Sequence, residues 1–79
     1  MNPRIQKAIA IDNYKFQLEF ENGEKGVFDL SPYLGLGMFK ELKEDQNYKR
    51  FSLEEGVLTW YNGLDIGPDT VYLDSKKLN

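Results

Sequence analysis

Asn62, Asp65 and Asp69 fall within eight residues of one another, around a turn. Oxygen ligands of this kind suit a small ligand or a hard divalent cation such as magnesium or calcium. The same residues have a plainer use. Asp69, one residue past Pro68, would face the positive end of a helix dipole, and Asp65 would bond turn amides. A cation loop usually brings more carboxylates into a tight register, so the plainer use is the expectation and the ion site the alternative. Trp60, Tyr61 and Tyr72 flank the same stretch. Tryptophan and tyrosine dominate binding hot spots, so Trp60, Tyr61, Asn62, Asp65, Asp69 and Tyr72 together form the candidate interaction surface. Trp60 is expected to fill the core, which leaves Tyr61, at a hairpin tip, as the better contact.

Little other chemistry is open to the chain. It has 79 residues, with no histidine and no cysteine. A catalytic triad, a Cys–His dyad, a Cys/His zinc site and a disulfide all need one or the other. Ser31, Ser52 and Ser75 therefore have no histidine base. No catalytic residue, cofactor or metal is expected. Ten basic and 13 acidic side chains give a net charge of −3, which argues against a nucleic-acid backbone as partner. Lys40, Lys43, Lys49 and Arg50 are interleaved with Glu41, Glu44 and Asp45, as on a solvated charged face. Arg4, Gln6 and Lys7 interrupt any signal-peptide apolar stretch, and no run approaches the ~20 apolar residues of a membrane span. A cytoplasmic protein is expected.

These residues need a frame, and one domain is all that this length allows. The N-terminal four residues and residues 74–79 are expected to fray. Ile5 to Ile11 is apolar on both parities and predicts a central strand covered on both sides. Tyr14 to Glu21 alternates, with Tyr14, Phe16, Leu18 and Phe20 on one face. A three-residue loop Glu21-Asn22-Gly23, with a left-handed glycine, sets Phe16 opposite Phe28 and Tyr14 opposite Leu30. The same loop at Glu54-Glu55-Gly56 would set Leu53 opposite Val57 and Phe51 opposite Thr59. At Tyr61-Asn62-Gly63 it would set Leu58 opposite Ile66. Ser31 as N-cap with Pro32 predicts a short helical turn. Met38 to Lys43 predicts a second, and Asp45 would cap a third in which Tyr48 points inward. Gly67-Pro68-Asp69 opens a last turn reaching Tyr72. The fold class is α+β: a hairpin-rich antiparallel sheet of about five to six strands, with short helical segments between two β-meanders.

Several pieces of the chain resemble the small bacterial family called domain of unknown function 2442. They are Phe20-Glu21-Asn22-Gly23-Glu24, Phe28-Asp29 with Pro32 and Leu34, and Gly37-Met38-Phe39. The most specific is Trp60-Tyr61-Asn62-Gly63-Leu64-Asp65-Ile66-Gly67-Pro68-Asp69, followed by Val71-Tyr72. The resemblance runs from about Ile5 to Tyr72. It implies a small α+β domain without an assigned enzymatic activity, often encoded beside a second small protein in a toxin–antitoxin-like pair. The expectation is a non-catalytic protein-interaction module whose partner is encoded by a neighbouring gene, with a homodimer as a further possibility.

Overall fold

The computed structural model describes residues 2–78. Among these residues seven strands form two antiparallel sheets. Strands β1 (Ile5–Ile11), β2 (Lys15–Phe20) and β3 (Lys25–Asp29) make the first meander. Strands β4 (Phe51–Glu54), β5 (Val57–Trp60) and β6 (Asp65–Ile66) make the second. Helix α1 (Pro68–Asp74) follows, and β7 (Lys76–Leu78) returns to pair with β3. The sheet orders are β1-β2-β3-β7 and β4-β5-β6. The fold is α+β, with two sheets in place of one.

The first hairpin follows from its glycine. Gly23 has φ 90°, and the Gly23 and Phe20 amides donate to the Phe20 and Glu24 carbonyls at 2.9 and 2.8 Å. Gly is the residue that takes this left-handed position without a Cβ clash. The loop pairs Phe16 with Phe28, and the Leu30 amide donates to the Tyr14 carbonyl at 2.9 Å, in the expected register. Tyr61-Asn62-Gly63 repeats the loop and sets Leu58 opposite Ile66, also as expected.

The β4–β5 hairpin departs from expectation. Its loop has two residues, Glu55 and Gly56, at φ 53° and 81°. Leu53 therefore faces Leu58 and Phe51 faces Trp60, not Val57 and Thr59. Two consecutive left-handed residues match the twist of the flanking strands. This register also collects Phe51, Leu53, Leu58 and Trp60 on one face, which the longer loop would have split between two.

Strand β1 lies at the edge of its sheet, not at the centre. A register shift between Ile5 and Lys7 breaks the parity of its apolar residues. Ile5 pairs with Phe20 on the core face, whereas Ile9 pairs with Gln17 on the outer face and is 60% exposed. An extra residue in a strand has this effect on every side chain beyond it. The tail is ordered by pairing: Lys76–Leu78 adds to β3, where fraying was expected. At the other end, the Arg4 carbonyl accepts the Glu21 amide at 2.9 Å.

Between the meanders the chain winds in 3-10 turns. Ser31–Tyr33 is capped by Leu30, and the Ser31 amide is satisfied by Asp29 Oδ1 at 2.9 Å, so the acid takes the role expected of the serine. Gly37–Lys49 breaks at Glu44, Asp45 and Gln46. Asp45 is left-handed (φ 47°) and does not cap the turn. Tyr48 is buried, as expected.

The core lies between the sheets and these turns. Phe16 is its hub, packing edge-on against Phe51, Tyr48 and Trp60 with ring centroids 5.1 to 6.0 Å away. Such pairs add about 0.5–1.5 kcal/mol each beyond the area they bury.

Candidate functional site

The six residues of the candidate surface do not form one surface. Trp60 is 2% exposed, and its Nε1 donates to the Tyr48 carbonyl at 2.9 Å. Its ring partners are Phe16 and Phe39. Tyr61 sits at the β5–β6 hairpin tip, 46% exposed, with the Arg50 guanidinium 4.5 Å above its ring. Asn62 Oδ1 accepts the Leu64 amide at 3.2 Å, which is the turn bond expected of Asp65. Asp65 is exposed on β6, and Asp69 is exposed in the first turn of α1, where its charge opposes the helix dipole. Among the described residues no three acidic side chains come close enough to hold a metal ion.

Tyr72 belongs to a different cluster. Its ring packs on Phe20 at 5.0 Å, and its hydroxyl donates to Glu24 Oε1 at 2.6 Å. The same oxygen accepts Asn22 Nδ2 at 2.5 Å. Lys77 Nζ lies 4.0 Å above the Tyr72 ring and donates to the Tyr72 carbonyl. The Tyr72 hydrogen bond, then that of Asn22, holds the Glu24 carboxyl below the ordinary glutamate range. The same bond, with burial, raises the Tyr72 phenol. This knot ties helix α1 and β7 to the first hairpin.

Of the three aromatic residues, Trp60 thus belongs to the core and Tyr72 to this knot, while Tyr61 stays exposed. The family described as protein of unknown function (DUF2442) matches residues 5–77. The chain belongs to this family. Its Trp60-to-Asp69 signature is thereby placed: Trp60 is a core residue, Asn62 and Gly63 shape a turn, and Pro68 and Asp69 start α1. No curated protein and no solved structure matches the chain.

Two surface features of this DUF2442 member escaped the sequence reading. The first is the outer face of the four-stranded sheet. Cross-strand pairing lines up Ile9, Gln17, Val27 and Lys76 in one row, and Lys7, Glu19, Lys25 and Leu78 in the next. Ile11, Lys15 and Asp29 make a third row. A shallow groove of about 250 Å3 opens here, with Ile9 and Leu78 among its walls. Ile9 and Leu78 are 60% and 45% exposed. The bulge in β1 hid this face, since a strict alternation counts Ile5 and Ile9 together.

The second is a polar cleft of about 480 Å3 between the β1–β2 loop and the break near Asp45. Four of its residues, Asn13, Tyr14, Asp45 and Gln46, hold left-handed backbone at φ 47° to 64°. The Tyr14 and Tyr48 rings pack at a tilt of 57° in its wall, with centroids 4.9 Å apart. Asp12 and Asp45 oppose Lys43 and Lys49 there, so the cleft favours neither sign of ligand.

Proposed function

We propose that this DUF2442 chain is a non-catalytic protein-interaction module of the bacterial cytoplasm. Its partner is a small protein encoded beside it, in a toxin–antitoxin-like pair. The observation that supports this reading is the outer face of the β1-β2-β3-β7 sheet, which carries exposed Ile9 and Leu78 and, among the described residues, has no layer packed over it. Apolar Ile9, Ile11, Val27 and Leu78 interleaved with charged residues on this face suit a second layer, and a partner protein supplies it. The chain also lacks the histidine and cysteine on which most nucleophilic and acid–base sites depend. Asp65 and Asp69 stand exposed without a third carboxylate, so the cation-binding alternative has no observation in its favour.

Co-expression with the product of the neighbouring gene tests the reading. Joint elution from a sizing column, with mutual protection from thermal unfolding, supports it. Separate elution with no effect on growth or on each other's stability rejects it.

A further inference from the structure

We propose that the outer face of the four-stranded sheet receives an acidic amphipathic helix of the partner protein. The proposal rests on the interaction-module reading and adds the chemistry of the occupant. It starts from charge. Among the described residues the face presents Lys7, Lys15, Lys25 and Lys76 against Glu19 and Asp29. It is thus net positive, although the chain as a whole has 13 acidic and 10 basic side chains. The rest of the molecule is correspondingly acidic.

Apolar side chains lie between these lysines. Ile9 and Ile11 on β1 and Val27 on β3 flank the polar row of β2, and Leu78 closes the far edge. Strands β1 and β3 are separated by β2 alone, so they lie about 10 Å apart. That matches the breadth of one helix with its side chains, about 10–12 Å. A helix laid along β2 would set its apolar stripe on Ile9 and Val27 and its flanking carboxylates near Lys7, Lys25 and Lys76.

The charge also decides against a second copy. A two-fold dimer through this face would bring two net-positive faces together, each with four lysines and two carboxylates. Complementary charge steers the encounter and excludes like-charged partners, while the apolar stripe holds the complex.

The test uses two synthetic helical peptides of about 14 residues, close to four turns. Both carry the same leucine stripe; one has glutamates on its flanks and the other lysines. Each is titrated into the isotopically labelled chain, and amide shifts are followed by NMR. The acidic peptide is expected to move the amides of Ile9, Gln17, Val27 and Leu78. Its affinity should fall roughly fivefold as salt rises from about 0.05 to about 0.3 M. The Lys7→Gln/Lys25→Gln double variant and Ile9→Ser, each checked for native circular dichroism, should weaken binding roughly tenfold. Equal binding of both peptides, binding of neither, or shifts mapping elsewhere overturns the proposal. So do concentration-dependent shifts at these same amides without peptide, which identify a second copy as the occupant. If the neighbouring gene product elutes equally well with the Lys7→Gln/Lys25→Gln variant, this surface is wrong and the module reading stands. If that product does not co-elute but the acidic peptide maps to the face, the surface stands and the assigned partner falls.

Discussion

The indole of Trp60 donates to the backbone carbonyl of Tyr48 at 2.9 Å, and the Tyr48 hydroxyl donates in turn to the Ile11 carbonyl at 2.8 Å. The two bonds run from the second sheet, through the 3-10 segment, to the first. Tyr48 is therefore the joint between the meanders, and neither of its two bonds is to a neighbour in sequence.

Removing either link should loosen the whole chain. Trp60→Phe keeps an aromatic ring but leaves the Tyr48 carbonyl without its donor, at a cost of about 1–3 kcal/mol. Tyr48→Phe should cost about 1 kcal/mol. Urea unfolding of the two variants and their double mutant should show non-additive losses, because the bonds share one residue. Strictly additive losses would mean that the two sheets are coupled by other contacts.

The Glu24–Tyr72 bond predicts stability losses at both ends of the pH scale. The Glu24 carboxyl is held low, chiefly by the Tyr72 hydroxyl. Its contribution is therefore present above the unfolded glutamate value, about 4.3, and fades as pH falls through the lower folded value. The Tyr72 phenol is held high, chiefly by Glu24, so its contribution is complete below about 10 and is lost as pH rises through the folded value. In Tyr72→Phe the Glu24 carboxyl should titrate closer to the ordinary value by NMR. An unchanged Glu24 titration would show that the bond does not persist in solution.

The Glu55-Gly56 turn can be improved at one residue and broken at the next. Glu55 occupies a left-handed position that costs a side-chain-bearing residue about 1–2 kcal/mol. Asparagine tolerates it better, so Glu55→Asn should raise the denaturant midpoint with an unchanged slope. Gly56→Ala should lower it. There the φ is 81°, and an added Cβ would sit 2.8 Å from Arg4 Cβ, where the two sheets meet. A neutral Gly56→Ala would show that the Arg4 segment yields freely.

Truncation after Ser75 removes β7 and frees the β3 edge. Amide exchange at Lys25 and Val27, whose amides alternate away from β2 toward β7, should accelerate well before that of Phe16 or Leu18, which lie one strand further in. Uniform acceleration across the sheet would place β7 inside the global cooperative unit.

The parts of the fold legible in the sequence are those written in local turn chemistry. Asn22-Gly23 and Asn62-Gly63 announce three-residue loops, and alternation then fixes Phe16 against Phe28 and Leu58 against Ile66. The misread parts depend on what local chemistry does not encode. Glutamate at a left-handed position gives no signal, so the sequence predicts a β4–β5 register one residue off on its second strand. The β1 bulge turns Ile9 outward without any glycine to mark it. Lys76 to Leu78 becomes a strand only because β3 offers an edge some 50 residues earlier in the chain. Of the candidate surface, alternation and turn chemistry suffice to put Trp60 in the core and Tyr61 at a tip. Tyr72 was separated from both by its bond to Glu24, a contact between segments 48 residues apart.

Sheet order also carries a message about time. The contacts of β1-β2-β3 and of β4-β5-β6 are each between successive strands, whereas β7 must travel back past the second meander to reach β3. Loop closure over such a span is slow compared with hairpin formation. Contact separation favours closing the two meanders before the β3–β7 zipper. The outer face of four strands exists as one surface only once that zipper is closed, and the knot around Glu24, Tyr72 and Lys77 joins the same segments.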